Sequence, residues 1–227
     1  MRSVFGFGES LVAVPLLALI MPLETAVPLS VIISVVIAGV IVIQDHHKIY
    51  WSSAKYLIGY ALLGLPLGLL ILLYGHAIWV KGILGGILIA YALYALFSKK
   101  QYRLPSDHKF WLFCCGVFSG IFGGAYGLNG PPLVLYGDLR GWSATHFRAT
   151  LQAYFLPISL VTVVGYGVKD LLTTEVLTLS LWTLPVVLPA IFLGRYFNHK
   201  LERERFVKYV YAGLLLIGLV LLKDLFR

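Results

Sequence analysis

The chain alternates long uncharged stretches with short segments that carry its charged residues. Six of these stretches are clean enough to be read as helices that span a membrane, since roughly 20 helical residues cross a hydrocarbon core about 30 Å thick. They are residues 25–44, 56–80, 82–98, 149–168, 176–194 and 209–222. The pattern therefore predicts an all-α polytopic membrane protein.

Two further apolar stretches are interrupted. Residues 10–23 are short, and residues 110–137 are long but rich in glycine and proline. The N-terminus does not resemble a signal peptide, because Glu9 lies where the apolar core of such a peptide would be. We therefore expect residues 1–23 to belong to the mature fold.

The two halves of the chain resemble each other, and such internal similarity is typical of duplicated structural units. The matching segments, in the same order in each half, are 80–90 with 207–217, 6–19 with 123–136, and Pro66 with Pro189. Residues 1–98 are predicted to form repeat 1 and residues 99–227 repeat 2. Residues 109–122 are long enough for a half-span helix, whereas the leading half-helix of repeat 1 is truncated.

Charge placement favours inverted repeats over parallel ones. The net charge is +8, but only 12% of the residues are charged, and the basic ones lie in gaps between apolar runs, which argues against a nucleic-acid-binding face. If both glycine-rich segments crossed fully, the basic residues would divide 10 to 8. If each segment instead returns on the side it entered, 13 of the 18 lie on the inside, together with the 45–55 loop, as the positive-inside tendency favours. We therefore predict two inverted repeats, each a broken or re-entrant Gly/Pro-rich helix plus three transmembrane helices.

The glycine-rich segment 120–132 predicts a break inside the membrane. Four glycines lie within residues 123–130, and Pro132 would remove a backbone hydrogen bond from a continuous helix. A second half-helix is expected to begin near Pro131, with Asn129 or Gly130 as its cap. Free N–H groups and the positive end of its dipole would form an anion site. The alternative is a glycine-packed crossing between helices.

The first half repeats this break near Gly8, with Glu9 as an unusual member. An ionisable group at membrane depth is a functional candidate, so Glu9 could carry a coupling proton; otherwise it is wetted at a membrane surface. Arg148 could bind an oxyanion or could anchor a helix end. The predicted substrate-binding residues are Gly6, Gly8, Ser10, Ser30, Gly124, Tyr126, Gly127, Asn129, Gly130, Pro131, Arg148 and Thr150.

A glycine cluster followed by a proline-leucine half-helix, once per half, resembles the sulfite exporter TauE/SafE family of membrane transporters. The segments that carry the resemblance are FGFGESLVAVPLLAL (5–19), FSGIFGGAYGLNGPPLVLY (118–136) and FRATLQAYF (147–155). The resemblance implies an exporter of small sulfur-containing anions, such as sulfite or organosulfonates, in the cytoplasmic membrane of a prokaryote. Its expected partners are a small anionic substrate and the lipid bilayer, with a homodimer possible and no nucleic acid.

Other chemistries have little support in the sequence. His46 and His47 lack accompanying ligands, so a metal site is not expected, and the adjacent Cys114 and Cys115 suit packing. The Walker motif of ATP hydrolysis is absent, and Glu9 alone does not make a catalytic pair. We expect a secondary transporter without cofactors that is not an enzyme. The alternative is a passive anion channel, which could not drive flux uphill.

Overall fold

The computed structural model of the chain describes residues 7–97, 104, 106–197, 215–216, 218–220 and 222–223. Gly6, the leading residues of repeat 1 and most of the expected span 209–222 lie outside this set. The described part is helical and contains no strand. Its helices are α1 (Glu9–Leu17), α2 (Leu23–Asp45), α3 (Trp51–Tyr74), α4 (Ala77–Phe97), α5 (Lys109–Tyr126), α6 (Gly130–Leu139), α7 (Ala144–Val168) and α8 (Thr174–Phe197), with a 3-10 turn at His46–Lys48.

Six segments of the described chain are long and apolar enough to cross a membrane. They are Leu23–Lys48, Trp51–Tyr74, Ala77–Tyr94, Lys109–Tyr126, Thr145–Val168 and Thr174–Leu193. Five of them confirm spans expected from the sequence. The remaining one, α5, was expected to be a half-span helix of residues 109–122, and that expectation is wrong. Its 18 residues continue through Gly123 and Gly124 and reach about 27 Å at 1.5 Å per residue.

Close packing against α3 explains why α5 tolerates so many glycines. A Cβ at Gly120 would overlap the backbone of α3. A Cβ at Gly64 would overlap the carbonyl oxygen of Val117, and one at Gly68, a turn later, would overlap the carbonyl oxygen of Ile121, a turn after Val117. The contacts advance in the same direction along both helices, so α3 and α5 are parallel. Small residues at four-residue spacing allow such a close approach in membrane helices. For these glycines, which we call the glycine stripe, the glycine-packed crossing between helices was therefore the right interpretation.

α5 and α6 form a helical hairpin whose two outer ends lie together. The amide of Leu104, before α5, donates to the carbonyl of Leu139 at the end of α6 over 2.7 Å. Beside it, Arg140 Nε donates to Asp107 Oδ1 over 3.0 Å. These contacts bring the start of α5 and the end of α6 to the same end of the bundle, while a segment that enters and returns on one side of the membrane stays a prediction.

The starts of α3 and α7 lie at this same end of the bundle. The Tyr50 amide donates to Thr150 Oγ1 over 3.0 Å, and the Arg148 guanidinium pairs with Asp45. We call it the basic end, and it carries Lys48, Lys109, Arg140 and Arg148. The antiparallel helices α2 and α7 extend from it towards the opposite end.

Two short helices, α1 and α6, begin inside the bundle and run to opposite ends. They have 9 and 10 residues, so each is about 14–15 Å long, half of a hydrocarbon core. Ser30 Oγ, in α2, donates to Ser10 Oγ over 3.2 Å, which places the start of α1 beside the interior of α2. From there α1 runs towards the end where α2 begins, whereas α6 runs to the basic end.

Candidate functional site

The break between α5 and α6 depends on a left-handed residue. Gly127 has φ 66°, a conformation that glycine adopts at little cost. Its amide donates to the carbonyl of Gly123 over 2.9 Å, and the next amide, of Leu128, donates to that of Phe122 over 3.1 Å. The bond from Gly127 to the carbonyl four residues before it closes the helix in the manner of an αL C-cap motif. A Cβ at Gly127 would also lie 3.1 Å from Val31 Cγ2, so a side chain there would be strained by its backbone and tightly packed against Val31.

Asn129 occupies the N-cap position of α6 without capping it. Its backbone is helical, with φ −67° and ψ −20°, and its side chain makes no capping hydrogen bond. Instead Oδ1 lies against Gly123, in the space a Cβ there would occupy. The residue is 6% exposed, and Oδ1 has no hydrogen-bond partner among the described residues. With its oxygen turned to Gly123, the amide nitrogen remains as the donor that this side chain can offer a ligand.

The backbone of Asn129 is anchored to neighbouring helices. Its carbonyl accepts a hydrogen bond from Ser119 Oγ of α5 over 2.7 Å. Ser119 in turn accepts one from the hydroxyl of Tyr154 in α7 over 2.8 Å. All three residues are buried, so this chain fixes the start of α6 against two longer helices.

The start of α1 is a second uncapped helix N-terminus. Gly8 precedes it with φ 102°, and no side chain caps it. The first N–H groups of an α-helix lack intrahelical acceptors. Beside them, the Ser30 hydroxyl donates to Ser10, and the Ser10 hydroxyl donates to Glu9 Oε1 over 3.4 Å. This chain of hydroxyls ends on the carboxylate.

The two N-termini meet at one cavity. The Phe7 ring passes between them, since a Cβ at Gly130 would lie 3.5 Å from it. The free volume of the cavity is about 20 Å³, room for roughly one water molecule, so it would have to widen to admit a larger ligand. Its lining residues are Phe7, Gly8, Glu9, Ser10, Leu11, Ser34, Gly127, Leu128, Asn129, Gly130 and Phe155.

Aromatic rings fill the space between this cavity and the basic end. The Phe7 ring lies 6.4 Å from that of Tyr91 and 6.1 Å from that of Phe147. The Phe147 ring lies 6.4 Å from that of Trp142, in the loop that joins α6 to α7. We call Phe7, Tyr91, Phe147 and Trp142 the aromatic plug. These contacts link the cavity wall at Phe7 to the α6–α7 loop at the basic end.

Of the residues expected from the sequence, six line the cavity: Gly8, Glu9, Ser10, Gly127, Asn129 and Gly130. Ser30 lies one hydrogen bond behind them. Gly124 instead packs against α3, and its carbonyl accepts a hydrogen bond from Tyr166 over 3.0 Å. The hydroxyl of Tyr126 is buried without a hydrogen-bond partner in the described part. Pro131, in the first turn of α6, has no N–H to donate.

Arg148 and Thr150 lie at the basic end and are not among the lining residues. Arg148 pairs with Asp45, whose side chain is only 6% exposed, and so ties α7 to α2. Thr150 accepts the Tyr50 amide and ties α7 to the start of α3. In this conformation both positions serve helix packing.

Five lining residues escaped sequence reasoning: Phe7, Leu11, Ser34, Leu128 and Phe155. Two of them had a usable signal. Ser34 is one helical turn after Ser30, and Phe155 closes the FRATLQAYF segment that carried part of the family resemblance. Phe7, Leu11 and Leu128 are apolar residues among many, and nothing in their local pattern distinguishes them.

Asp107 is a further polar centre that sequence reasoning missed. Its carboxylate accepts hydrogen bonds from Tyr136 over 2.6 Å and from Ser53 over 2.9 Å, and it pairs with Arg140. Burial raises the pKa of Asp107, but these hydrogen bonds and the arginine charge outweigh it and lower the pKa below the usual 3.8. The described residues hold no group of three His, Cys, Asp or Glu side chains placed to bind a metal ion.

Comparison with known proteins agrees with this architecture. The family model described as "Sulfite exporter TauE/SafE" matches residues 1–221 of the 227-residue chain. No curated protein and no solved structure matches the chain significantly. Because the family model covers nearly the whole chain, including both half-helices and the cavity between them, the protein belongs to the sulfite exporter TauE/SafE family.

Proposed function

We propose that the protein exports small sulfur-containing anions, such as sulfite or organosulfonates, and binds one anion between the N-termini of α1 and α6. Family membership implies a multi-pass transporter of sulfite or related sulfur anions. The choice of anion, the location of its site and the transport mechanism are our proposal.

The shared cavity is the observation that carries the proposal. Each helix N-terminus is equivalent to roughly half a positive charge, and it presents N–H groups to an anion. Glu9, Ser10 and Leu11 contribute the first-turn N–H groups of α1, and Gly130 contributes that of α6. The Asn129 amide nitrogen adds a side-chain donor. An oxyanion there would be held chiefly by backbone dipoles, a pattern found in transporters with broken helices.

The opposite directions of α1 and α6 support two inverted repeats, over residues 1–98 and 99–227. In such transporters one repeat rocks against the other around a fixed midplane site. The aromatic plug would close the cavity towards the basic end and would move aside in the alternate conformation. By the positive-inside tendency, that end would face the cytoplasm across the inner membrane of a prokaryote.

Binding to purified protein in detergent tests the site directly. We expect sulfite, thiosulfate or methanesulfonate to bind to the wild type, and Asn129→Ala and Gly127→Leu to weaken binding without loss of membrane insertion. Gly86→Ala is the matched control, because a Cβ there meets nothing within 4 Å. Normal binding by both site variants would reject the site.

Flux in proteoliposomes separates an exporter from a passive channel. An imposed proton gradient or membrane potential should drive the anion against its own gradient if the protein is a secondary transporter. Flux that only ever runs downhill would favour the channel.

Cysteine labelling tests the orientation. Cysteines at Ser143 and Asn198 should react with an impermeant thiol reagent from the cytoplasmic side, and a cysteine at Lys169 from the other. Labelling of Ser143 and Asn198 from opposite sides would reject the inverted arrangement.

A further inference from the structure

We infer that Ser119 and Tyr154 are positioning residues of the anion site: they aim the N–H of Gly130, the single backbone donor in the first turn of α6, into the cavity. The role rests on the anion site proposed above and deepens it, because two side chains outside the cavity then set how tightly the site holds an anion.

The first turn of α6 is poor in backbone donors. The helix opens with Gly130, Pro131 and Pro132, and proline has no N–H. The first N–H groups of a helix lack acceptors within it and stay free for a ligand. Gly130 lines the cavity, and neither proline is among its lining residues. The backbone contribution of α6 to anion binding therefore depends on the orientation of one peptide, which joins Asn129 to Gly130.

A buried hydrogen bond holds that peptide from behind. Its carbonyl, which belongs to Asn129, accepts the hydroxyl proton of Ser119 over 2.7 Å. The peptide is trans, and in a planar trans peptide the C=O and the N–H point in opposite directions. A bond that draws the carbonyl towards α5 therefore turns the N–H of Gly130 away from α5. Gly130 meets the cavity on that side.

The direction of each proton in this chain is forced. A carbonyl can only accept, so the single hydroxyl proton of Ser119 goes to Asn129. The oxygen of Ser119 then serves as an acceptor, and the Tyr154 hydroxyl donates to it over 2.8 Å. Ser119 and Tyr154 are both 0% exposed, so water does not compete for these bonds. Hydrogen bonds aligned in one direction polarise one another, which should make the Gly130 N–H a stronger donor.

The same face of α5 also makes room for the side chain of Asn129. Ser119 and Gly123 are one helical turn apart, and Oδ1 of Asn129 occupies the space that a Cβ at Gly123 would fill. The serine holds the backbone of Asn129, and the glycine accommodates its amide group. Neither residue lines the cavity, so both act on a ligand through Asn129 and the peptide that follows it.

Methanesulfonate binding to the full chain, purified in detergent, tests the role of Ser119. Ser119→Ala should bind about tenfold more weakly than the wild type, because a donor to a charged ligand loses its alignment. Ser119→Thr keeps the hydroxyl and should bind as the wild type does. Ser180→Ala is the matched control and should bind normally, since Ser180 is a buried serine that donates to the Val176 carbonyl of its own helix.

A double variant separates positioning from stability. Ser119→Ala alone leaves the Tyr154 hydroxyl buried without its acceptor, which destabilises the fold. Adding Tyr154→Phe removes that unsatisfied group and should return the unfolding temperature towards the wild-type value. Binding should stay about tenfold weaker, because the Asn129 carbonyl still lacks its anchor. Recovery of binding together with stability would show that Ser119 serves packing alone.

Isotope labelling reports on the peptide itself. Asn129 is followed by glycine, whereas Asn198, the other asparagine of the sequence, is followed by histidine. Protein labelled with ¹³C at the asparagine carbonyls and with ¹⁵N in glycine therefore contains one doubly labelled peptide, whose N–H can be selected by NMR. Methanesulfonate should shift this amide proton in the wild type and in Ser119→Thr, and much less in Ser119→Ala.

Equal methanesulfonate affinity in the wild type and Ser119→Ala, or an equal shift of the Gly130 amide proton, would overturn the positioning role and leave the anion site intact. If the wild type binds none of sulfite, thiosulfate and methanesulfonate, the proposed function itself fails, and the positioning role fails with it.

Discussion

The side-chain oxygen of Asn129 lies on Gly123, in a space that any side chain at position 123 would fill. Gly123 lies in α5 and Asn129 at the N-cap of α6, and the absence of a Cβ on the glycine sets the position of the asparagine. The glycine therefore acts on the ligand site without lining the cavity.

Gly123→Ala should weaken anion binding although it adds only a methyl group. The new Cβ would displace the Asn129 amide and remove a donor to a charged ligand. Hydrogen bonds to charged groups contribute about 1.5–3 kcal/mol, so we expect roughly 10- to 100-fold weaker binding. Calorimetry of methanesulfonate binding measures this effect. Gly86→Ala should bind normally, and equal affinities for the two variants would contradict the role of Gly123.

Gly64→Ala should destabilise the protein, whereas Gly59→Ala on the same helix should not. A Cβ at Gly64 would overlap the Val117 carbonyl of α5, but one at Gly59 meets nothing within 4 Å. Overpacking typically costs about 1–3 kcal/mol, while alanine is favoured over glycine in an open helical position by roughly 1 kcal/mol. Thermal unfolding in detergent should show a lower midpoint temperature for Gly64→Ala and an unchanged or higher one for Gly59→Ala. Similar midpoints would argue against the close α3–α5 contact.

Sequence reasoning found the helical fold and the break, but misplaced the start of the break. Four glycines suggested that the helix ends near residue 122, yet α5 continues to Tyr126. Gly120 and Gly124 face α3, and the gain from close packing outweighs their poor helix propensity. Only Gly127 has the left-handed backbone that ends the helix. Helix propensity is the same for each of these glycines. What distinguishes them is whether they pack against α3, and local sequence does not reveal that neighbour.

The candidate site was predictable where backbone chemistry dictates it. Proline and asparagine after a glycine turn located the start of α6, and the matching segment in the first half located Gly8 and Ser10. Arg148 shows the limit, since its charge suggested an anion ligand but Asp45, 103 residues away, is its partner. A partner so far away in the sequence cannot be predicted from the residues that neighbour Arg148.

Acid should destabilise the wild type partly through Asp107. Its pKa is lowered in the folded protein, so its stabilising contribution is present above the unfolded value of 3.8 and is lost as pH falls towards the lower folded value. Asp107→Asn should therefore unfold at a lower temperature than the wild type near neutral pH, with a smaller difference below about pH 4. Asp170→Asn, which removes an exposed carboxylate, is the control. A constant difference across this range would contradict the assignment.

Phe7→Ala should open the cavity to the basic end. A Ser34→Cys reporter, in a protein with Cys114 and Cys115 replaced by serine, would lie on the cavity wall. Removal of the ring leaves a gap against Tyr91 and Phe147, so an impermeant thiol reagent applied to that end should label the reporter faster. Phe192→Ala, at an exposed position on α8, should leave labelling unchanged. Equal rates in all three proteins would show that Phe7 does not close the cavity.

The glycine stripe also limits how the molecule can move. Where the backbones of α3 and α5 touch, one helix cannot slide along the other without driving a carbonyl into its neighbour. Because α3 lies in the first proposed repeat and α5 in the second, rocking of one repeat against the other would pivot about this contact rather than slide along it. The first turn of α6 would stay with α5 through the Ser119–Asn129 bond, and the cavity would open at the side-chain contacts of α1, α2 and α7.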